Sequence, residues 1–289
     1  TNNGNVNNLW GTGNGQYGWG QSTTITAVSA AGSITAAQWS ALSSRINSIR
    51  SHQTGSAVTF TNTTGGSTSN FTAGQTIYQV SNLSSALSSA YTAANTASAT
   101  TGSMACYSTV QQGTTTTLSK TLSNTVTTQF NIDITFASDA AMRYFFNSGG
   151  YLEFAFSMTN SGTAKTQSWS NLASDLGLIR FGGLASVYSG YSGTWDTNTN
   201  YYLQNAPASA TTWWKKFNDT GTADYNLNYI YCTVAKSSGV LNFKIYAVDA
   251  ATDVVNDTIT NPLVCSVKVY EAGTNFINNT WGTATVSTS

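Results

Sequence analysis

The sequence predicts an α+β protein that is mainly β, with a small N-terminal part of helices and extended chain followed by an antiparallel β-sandwich. Three observations carry that prediction. From about Lys120 onward, apolar residues recur at every second position, the period of a half-buried strand. Before that point the one strong pattern, Ala36–His52, repeats at helical spacing instead. All eleven carboxylates fall from Asp133 onward, and a composition break that sharp marks a domain boundary.

Residues 1–24 are rich in Gly and Asn, with Leu9, Trp10, Tyr17 and Trp19 set among the glycines. Such a segment makes no core of its own, so it is expected to be an extended arm. Its aromatics either insert into a partner or fold back onto their own domain. Residues 25–100 are expected to form a helix-containing docking and oligomerisation domain. Thr35 is placed to cap a helix over Ala36–His52, whose Trp39, Leu42, Ile46 and Ile49 share one face, with Gly55 just past the end. Ser81 or Asn82 is placed to cap a second helix to about Ala97, with Leu83, Leu87, Ala90 and Ala94 as a narrow stripe. Its other faces carry small residues that allow close approach of another helix. Ala57–Asn62 and Gln75–Val80 read as short strands, and residues 101–120 as a Thr-rich linker.

Residues 121–289 are expected to form the sandwich. Val126, Thr128, Phe130, Ile132, Ile134 and Phe136 alternate with polar residues. Ser138–Asn147 reads as a short helix capped by Ser138 and stopped by Gly149-Gly150. Alternation returns at Leu152, Phe154, Phe156 and Met158, and again over Tyr225–Val234, Val240–Val248 and Leu263–Tyr270. Five or more strands with hairpin-length links indicate an antiparallel sandwich. The absence of a βαβ pattern argues against a nucleotide-binding sheet.

Composition narrows the function. Only 8% of the 289 residues are charged, against roughly 25% in an average soluble domain. Thr, Ser and Asn together number 112, and the formal net charge is zero. Thirty-five aromatic residues are too many for a disordered chain. Without a basic stripe, no nucleic-acid partner is expected, and no apolar run approaches the ~20 residues of a membrane helix. A hydroxyl- and amide-coated surface suits a saline exterior, where the Debye length falls to ~3 Å near 1 M salt, or a permanent assembly. The opening residues, Thr1-Asn2-Asn3-Gly4-Asn5, lack a basic and an apolar leader stretch, so export by a classical signal is not expected. Cys106, Cys232 and Cys265 are odd in number and widely spaced, and buried free thiols are expected of Cys232 and Cys265.

Candidates for chemistry are few. The single histidine, His52, ends the first helix, where a cation would complement the dipole. A Ser-His-Asp triad would need it, yet its half holds no carboxylate. Asp133 and Glu153 could serve a glycosidase, but alternation places them on the solvated faces of their strands. Asp249, Asp253 and Asp257 flank a turn and read as ordinary turn residues, since calcium takes six to eight oxygens. No cofactor, metal or catalytic residue is assigned, and an enzyme is not expected. The aromatic residues are better candidates. Trp10, Tyr17, Trp19 and Trp39 are the docking candidates. Tyr188, Tyr191, Trp195, Tyr201 and Tyr202, with Trp213-Trp214-Lys215-Lys216 nearby, are candidates for surface binding, to another subunit or to a sugar face.

The runs Gln16-Tyr17-Gly18 with Gly20-Gln21, Val28 to Trp39, Arg45-Ile46-Asn47 and His52-Gln53 resemble the N-terminal part of virion structural proteins of tailed phages, especially those of marine cyanobacteria. Arg143-Tyr144-Phe145-Phe146-Asn147-Ser148-Gly149-Gly150, with Leu152, Phe154 and Trp169, looks like the second domain of the same proteins. The resemblance implies a particle component of the neck, tail or fibre, assembled in the host cytoplasm with copies of itself and other virion proteins. Rival expectations are a receptor-binding module of a tail fibre that recognises host surface glycan, and a capsid decoration protein. A polysaccharide depolymerase is the catalytic rival.

Overall fold

The structure, a computed structural model, describes residues 2–12, 18–22, 25–29, 32–58, 85, 88–89, 111–122, 127–183, 186–199, 201, 206–218, 225–250, 259 and 261–289. The strand expected at Gln75–Val80 and most of the helix expected to Ala97 lie outside these residues, as do Tyr17, Cys106, Tyr202, Asp253 and Asp257. Ser85, Ser88 and Ser89 are described, and are helical. Ala57 and Val58 are described and are not in a strand, while the rest of Ala57–Asn62 lies outside.

The protein is mainly β, in two antiparallel sheets with a few short helices. The first sheet holds β1 (Gln111–Thr121), β10 (Pro262–Glu271), β3 (Tyr151–Met158), β4 (Leu178–Phe181) and β5 (Ser186–Ser189), in that spatial order. The second runs β11 (Thr285–Thr288), β2 (Thr128–Thr135), β9 (Val240–Val248), β8 (Tyr229–Ser237), β7 (Thr211–Phe217) and β6 (Thr197–Asn198). Strict alternation builds the core. Phe130, Ile132 and Ile134 of β2, and Leu241, Phe243 and Ile245 of β9, face inward against Leu152, Phe154 and Phe156 of β3 and Cys265 and Val267 of β10. Cys232 and Cys265 are buried free thiols as expected, and burial raises both thiols well above their ordinary range.

β1 takes up residues expected as a linker. Thr is β-branched and favours strands, and Leu118 points into the core from the middle of the run. It pairs with Cys265 of β10, so the Thr-rich stretch closes the edge of a sheet.

Four helices are described in full: α1 (Asn2–Trp10), α2 (Ala36–Thr54), α3 (Asp139–Asn147) and α4 (Ala164–Asp175). Thr35 caps α2 in a capping box with Gln38, and the Gly55 N–H closes its end on the Ser51 carbonyl. Ser138 caps α3 through the Ala141 N–H, 3.1 Å away. α1 replaces part of the expected extended arm. Its five Asn and one Gly are poor helix formers, but Val6, Leu9 and Trp10 fall on one face and are buried, so packing overrides propensity.

The chain after α1 is fastened down rather than free. Trp19 is fully buried, 6.4 Å from Trp10 and edge-on to His52 at 4.8 Å. Backbone bonds run from Trp19 N to Leu9 O (3.0 Å) and from Gln21 N to Trp10 O (2.9 Å). The buried Gln21 amide donates to Asn278 O at 2.9 Å and accepts from Asn278 N at 2.8 Å, tying this strap to the segment before β11. Asn147 Nδ2 donates to Gly18 O from the end of α3. Gly20 has φ +69°, and a Cβ there would lie 2.4 Å from the Tyr144 ring.

His52 bridges the two halves. It is buried, not an exposed cation at a helix end. Its Nε2 donates to Ser148 O across 2.9 Å, and burial depresses its pKa to about 4. A neutral imidazole with an Nε2–H meets both conditions.

Two outcomes test this arrangement. The unfolded chain titrates its histidine near 6.5, so between that value and about 4 the unfolded state binds the extra proton. Stability therefore falls as pH drops through that window, by ~3 kcal/mol in all, in urea melts at stepped pH. His52→Gln keeps an amide donor and flattens the dependence. Gly20→Ala is expected to cost about 3 kcal/mol, from a strained backbone and a displaced ring. Gly282→Ala, at φ +71° with open space around it, should cost only about 1 kcal/mol.

Candidate functional site

The candidate site grows from an irregularity in β7. The pairing with β8 shifts register between Thr212 and Trp214, which leaves Trp213 as an extra residue in the strand. Both tryptophans are thereby fully buried, where plain alternation would expose one. Trp213 sits among Phe154, Phe181 and Phe243, with ring centroids 5.4–5.5 Å away, and its indole N–H donates to Ser186 Oγ at 2.8 Å. Trp214 packs on Phe156 at 5.5 Å and on Trp195 at 5.9 Å.

From Trp195 the aromatic series continues outward. Tyr188 lies 5.0 Å from it and Tyr191 5.7 Å, both tilted. Tyr188 and Trp195 are half-buried against the core, as is Tyr201. The Tyr188 hydroxyl donates to Thr199 O at 3.1 Å, and burial raises its phenol far above the ordinary value. Tyr191 is 45% exposed. Tyr188, Tyr191 and Trp195 are thus brought together, and of the described candidates Tyr191 is the exposed one.

Residues 190–196 that carry this ring are held at several points. Ser192 N bonds Asp175 O at 3.1 Å, and Ser192 Oγ donates to Asp175 Oδ1 at 2.6 Å. Asp196 N bonds Lys215 O at 3.1 Å. From beneath, Lys216 is fully buried, and its ammonium donates to Thr194 O at 3.1 Å and lies 5.9 Å from the Trp195 ring centre. The sequence placed Lys216 near the cluster without indicating that it is buried. Its burial follows from the same shift that turned Trp213 inward, since Lys216 pairs with the inward-facing Ile230.

Trp10, Trp19 and Trp39, the docking candidates among the described residues, pack within this chain. Trp10 and Trp19 are buried in its own core, which answers the arm's two alternatives in favour of folding back. Trp39 is partly buried on α2 against the same cluster. Arg45 stacks over Trp10 at 4.1 Å.

Of the carboxylates singled out, Glu153, Asp133 and Asp249 lie among the described residues and are engaged in the fold. Glu153 does point to the outer face of β3, yet it is only 4% exposed. Arg180 Nε roofs it at 2.8 Å, and the Tyr270 hydroxyl donates to it at 3.3 Å. The expectation of a solvated carboxylate fails there because the stacked Tyr151 and Tyr270 rings, 4.5 Å apart, and Arg180 over Tyr151 cover it. Asp133 accepts from Asn242 Nδ2 at 2.6 Å. Asp249 is no ordinary turn residue. Its carboxylate meets Lys165 Nζ at 2.6 Å with both side chains buried, clamping α4 onto the end of β9. Among the described residues, no group of three or more His, Cys, Asp or Glu could hold a metal ion.

Comparisons with protein-family models, curated proteins and solved structures find no match.

Packing separates the rings of this site by role. Trp195→Ala removes a ring that touches Tyr188, Tyr191 and Trp214, and should cost about 3 kcal/mol in chemical denaturation. Tyr191→Ala should stay within about 0.5 kcal/mol of the parent.

Proposed function

We propose that the protein is a non-enzymatic structural component of a bacteriophage virion, in the neck, tail or fibre, that acts by assembling with copies of itself and with other virion proteins. The observation that carries this reading is the distribution of charge. The first 132 residues contain no carboxylate and only Arg45, Arg50 and Lys120 as fixed cations. A surface of that composition associates through apolar packing and hydrogen bonds between hydroxyls and amides, not through ion pairs.

The described N-terminal part supports this. Ile34, just ahead of α2, is 51% exposed, and Ala37, Ala41 and Ser44 on α2 are exposed, small and uncharged. Trp10 and Trp19 serve the reading differently from the expected insertion. They hold α1 and the strap onto the sandwich, so the docking surface is presented as one rigid piece with it. The ionisable groups described above are engaged within the fold, which favours a scaffold over a catalyst. The particle is the proposed location, reached by assembly in the host cytoplasm.

Contacts of this kind resist salt. Raising ionic strength from ~0.15 M to ~1 M shortens the Debye length from about 8 to about 3 Å and abolishes weak surface ion pairs. The purified protein is expected to run as one discrete oligomer by light scattering, with the same mass at both salt concentrations. Ile34→Asp should dissociate it. A monomer at low salt, or an oligomer that falls apart as salt rises, would falsify the reading.

A further inference from the structure

One buried pair of side chains is placed for a covalent bond. We propose that Lys165 and Asp249 form an intramolecular isopeptide bond, by loss of water between the lysine amine and the aspartate carboxyl. This goes beyond the assembly role, which does not depend on it.

Proximity is the first observation. Lys165 Nζ lies 2.6 Å from Asp249 Oδ2. A carbon–oxygen bond is about 1.2 Å long, so Nζ is at most about 3.8 Å from Cγ, the atom it attacks. Groups held near ~3–3.5 Å react as if present at effective concentrations of ~10⁵–10⁸ M. Condensation of an amine with a carboxyl group is unfavourable in dilute aqueous solution, and effective concentrations of that order offset this. The two side chains are only 6% and 2% exposed, so solvent water, the reactant of the reverse step, has little access.

Isolation is the second. Among the described residues, neither Asp249 oxygen accepts a hydrogen bond, the contact with Lys165 lying outside hydrogen-bond angles. Nor does Lys165 have a second polar partner among them. Glu153 shows the contrast, since both Arg180 Nε and the Tyr270 hydroxyl bond its carboxylate. A buried ion pair holds its charges well only where hydrogen bonds satisfy the remaining protons and lone pairs. Lys165 is also the second residue of α4, where the helix dipole opposes a cation. An amide carries no charge and removes both costs.

The step balances within the pair. One proton passes from the Lys165 ammonium to the Asp249 carboxylate, leaving an amine and an acid. The amine nitrogen bonds Cγ, the bond from Cγ to the hydroxyl breaks, and that hydroxyl leaves as water with a second proton from the nitrogen. No oxidant, reductant or further reactant is consumed. The Ser170 hydroxyl on α4 donates to Met158 O at the end of β3, 2.9 Å away. The new bond therefore ties a helix seated on the first sheet to the end of β9 in the second. Cys232 and Cys265 stay free thiols, so a reductant leaves this tie intact.

Intact-protein mass spectrometry on the full chain tests this. After incubation at neutral pH until the mass is constant, the protein should be lighter than its sequence requires by one water. Trypsin should then release residues 144–180, uncut at Lys165, joined to residues 245–268. Lys165→Arg keeps a cation beside Asp249 but offers a guanidinium that stays protonated, and should have its full sequence mass. In reducing, denaturing electrophoresis the parent should run ahead of this variant, because its internal ring keeps the unfolded chain compact. A parent of full sequence mass overturns the proposal. So does a water loss that persists in Lys165→Arg, or one that maps to a single residue such as a succinimide at an aspartate. Oligomer mass tests the assembly role separately, so either reading can fail alone.

Discussion

Successive side chains of a β-strand point to opposite faces of the sheet, and β7 departs from that rule at Trp213. One extra residue turns two consecutive tryptophans inward and sends Lys216 in after them. Much of the sandwich is arranged around the result. Trp213 fills the space between Phe154 and Phe181 of one sheet and Phe243 of the other, so it joins the two layers. Trp214 carries the packing on to Phe156 and Trp195, and Lys216 fixes the loop from below. Aromatic pairs at these separations each add ~0.5–1.5 kcal/mol beyond area burial. Core and candidate site are therefore one packed unit, and the exposed ring at its end inherits the rigidity of the interior.

The scarcity of charge acquires a structural meaning here. Several ions among the described residues are internal fittings rather than parts of a solubilising coat. Lys165 and Asp249 join a helix to a strand, Arg180 closes over Glu153, and Arg45 lies on Trp10. Removing an ion from water is expensive unless its partner and hydrogen bonds are well placed. A sequence that places several of them inside uses them for specific geometry.

Much of the fold was legible in the sequence because burial there follows a simple period. The apolar residues of Phe130 to Ile134, Leu152 to Met158 and Val240 to Val248 alternate, and their strands lie within a few residues of expectation. The α2 boundaries followed from Thr35 and Gly55, whose roles are local. The failures have physical reasons too. α4 was missed because its buried face mixes Thr166 and Ser168 with Trp169 and Leu172, and Asn218 meets its polar part by bonding the Ser168 carbonyl. α1 is a helix only because of what it packs against. The aromatic cluster could be located from composition, but not the order of its rings, since that follows from a bulge with no fixed sequence signature. Glu153 obeyed alternation and was still buried, because alternation says nothing of what a neighbouring arginine will cover.

The strap around Trp19 has a consequence for the order of events in folding. Gln21 finds its partners at Asn278 and Thr280, 257 and 259 positions further along the chain. Closing contacts so distant in sequence is slow, and the groups involved stay exposed until it happens. On the ribosome, Asn278 and Thr280 are made 257 and 259 positions after the Gln21 that they hold. Trp19 and Gln21 thus cannot reach their final places until those residues have emerged, however early the surrounding helices form. A chain cut short before Asn278 would keep Trp19 unseated, and that distinguishes such copies from intact ones before any of them meet.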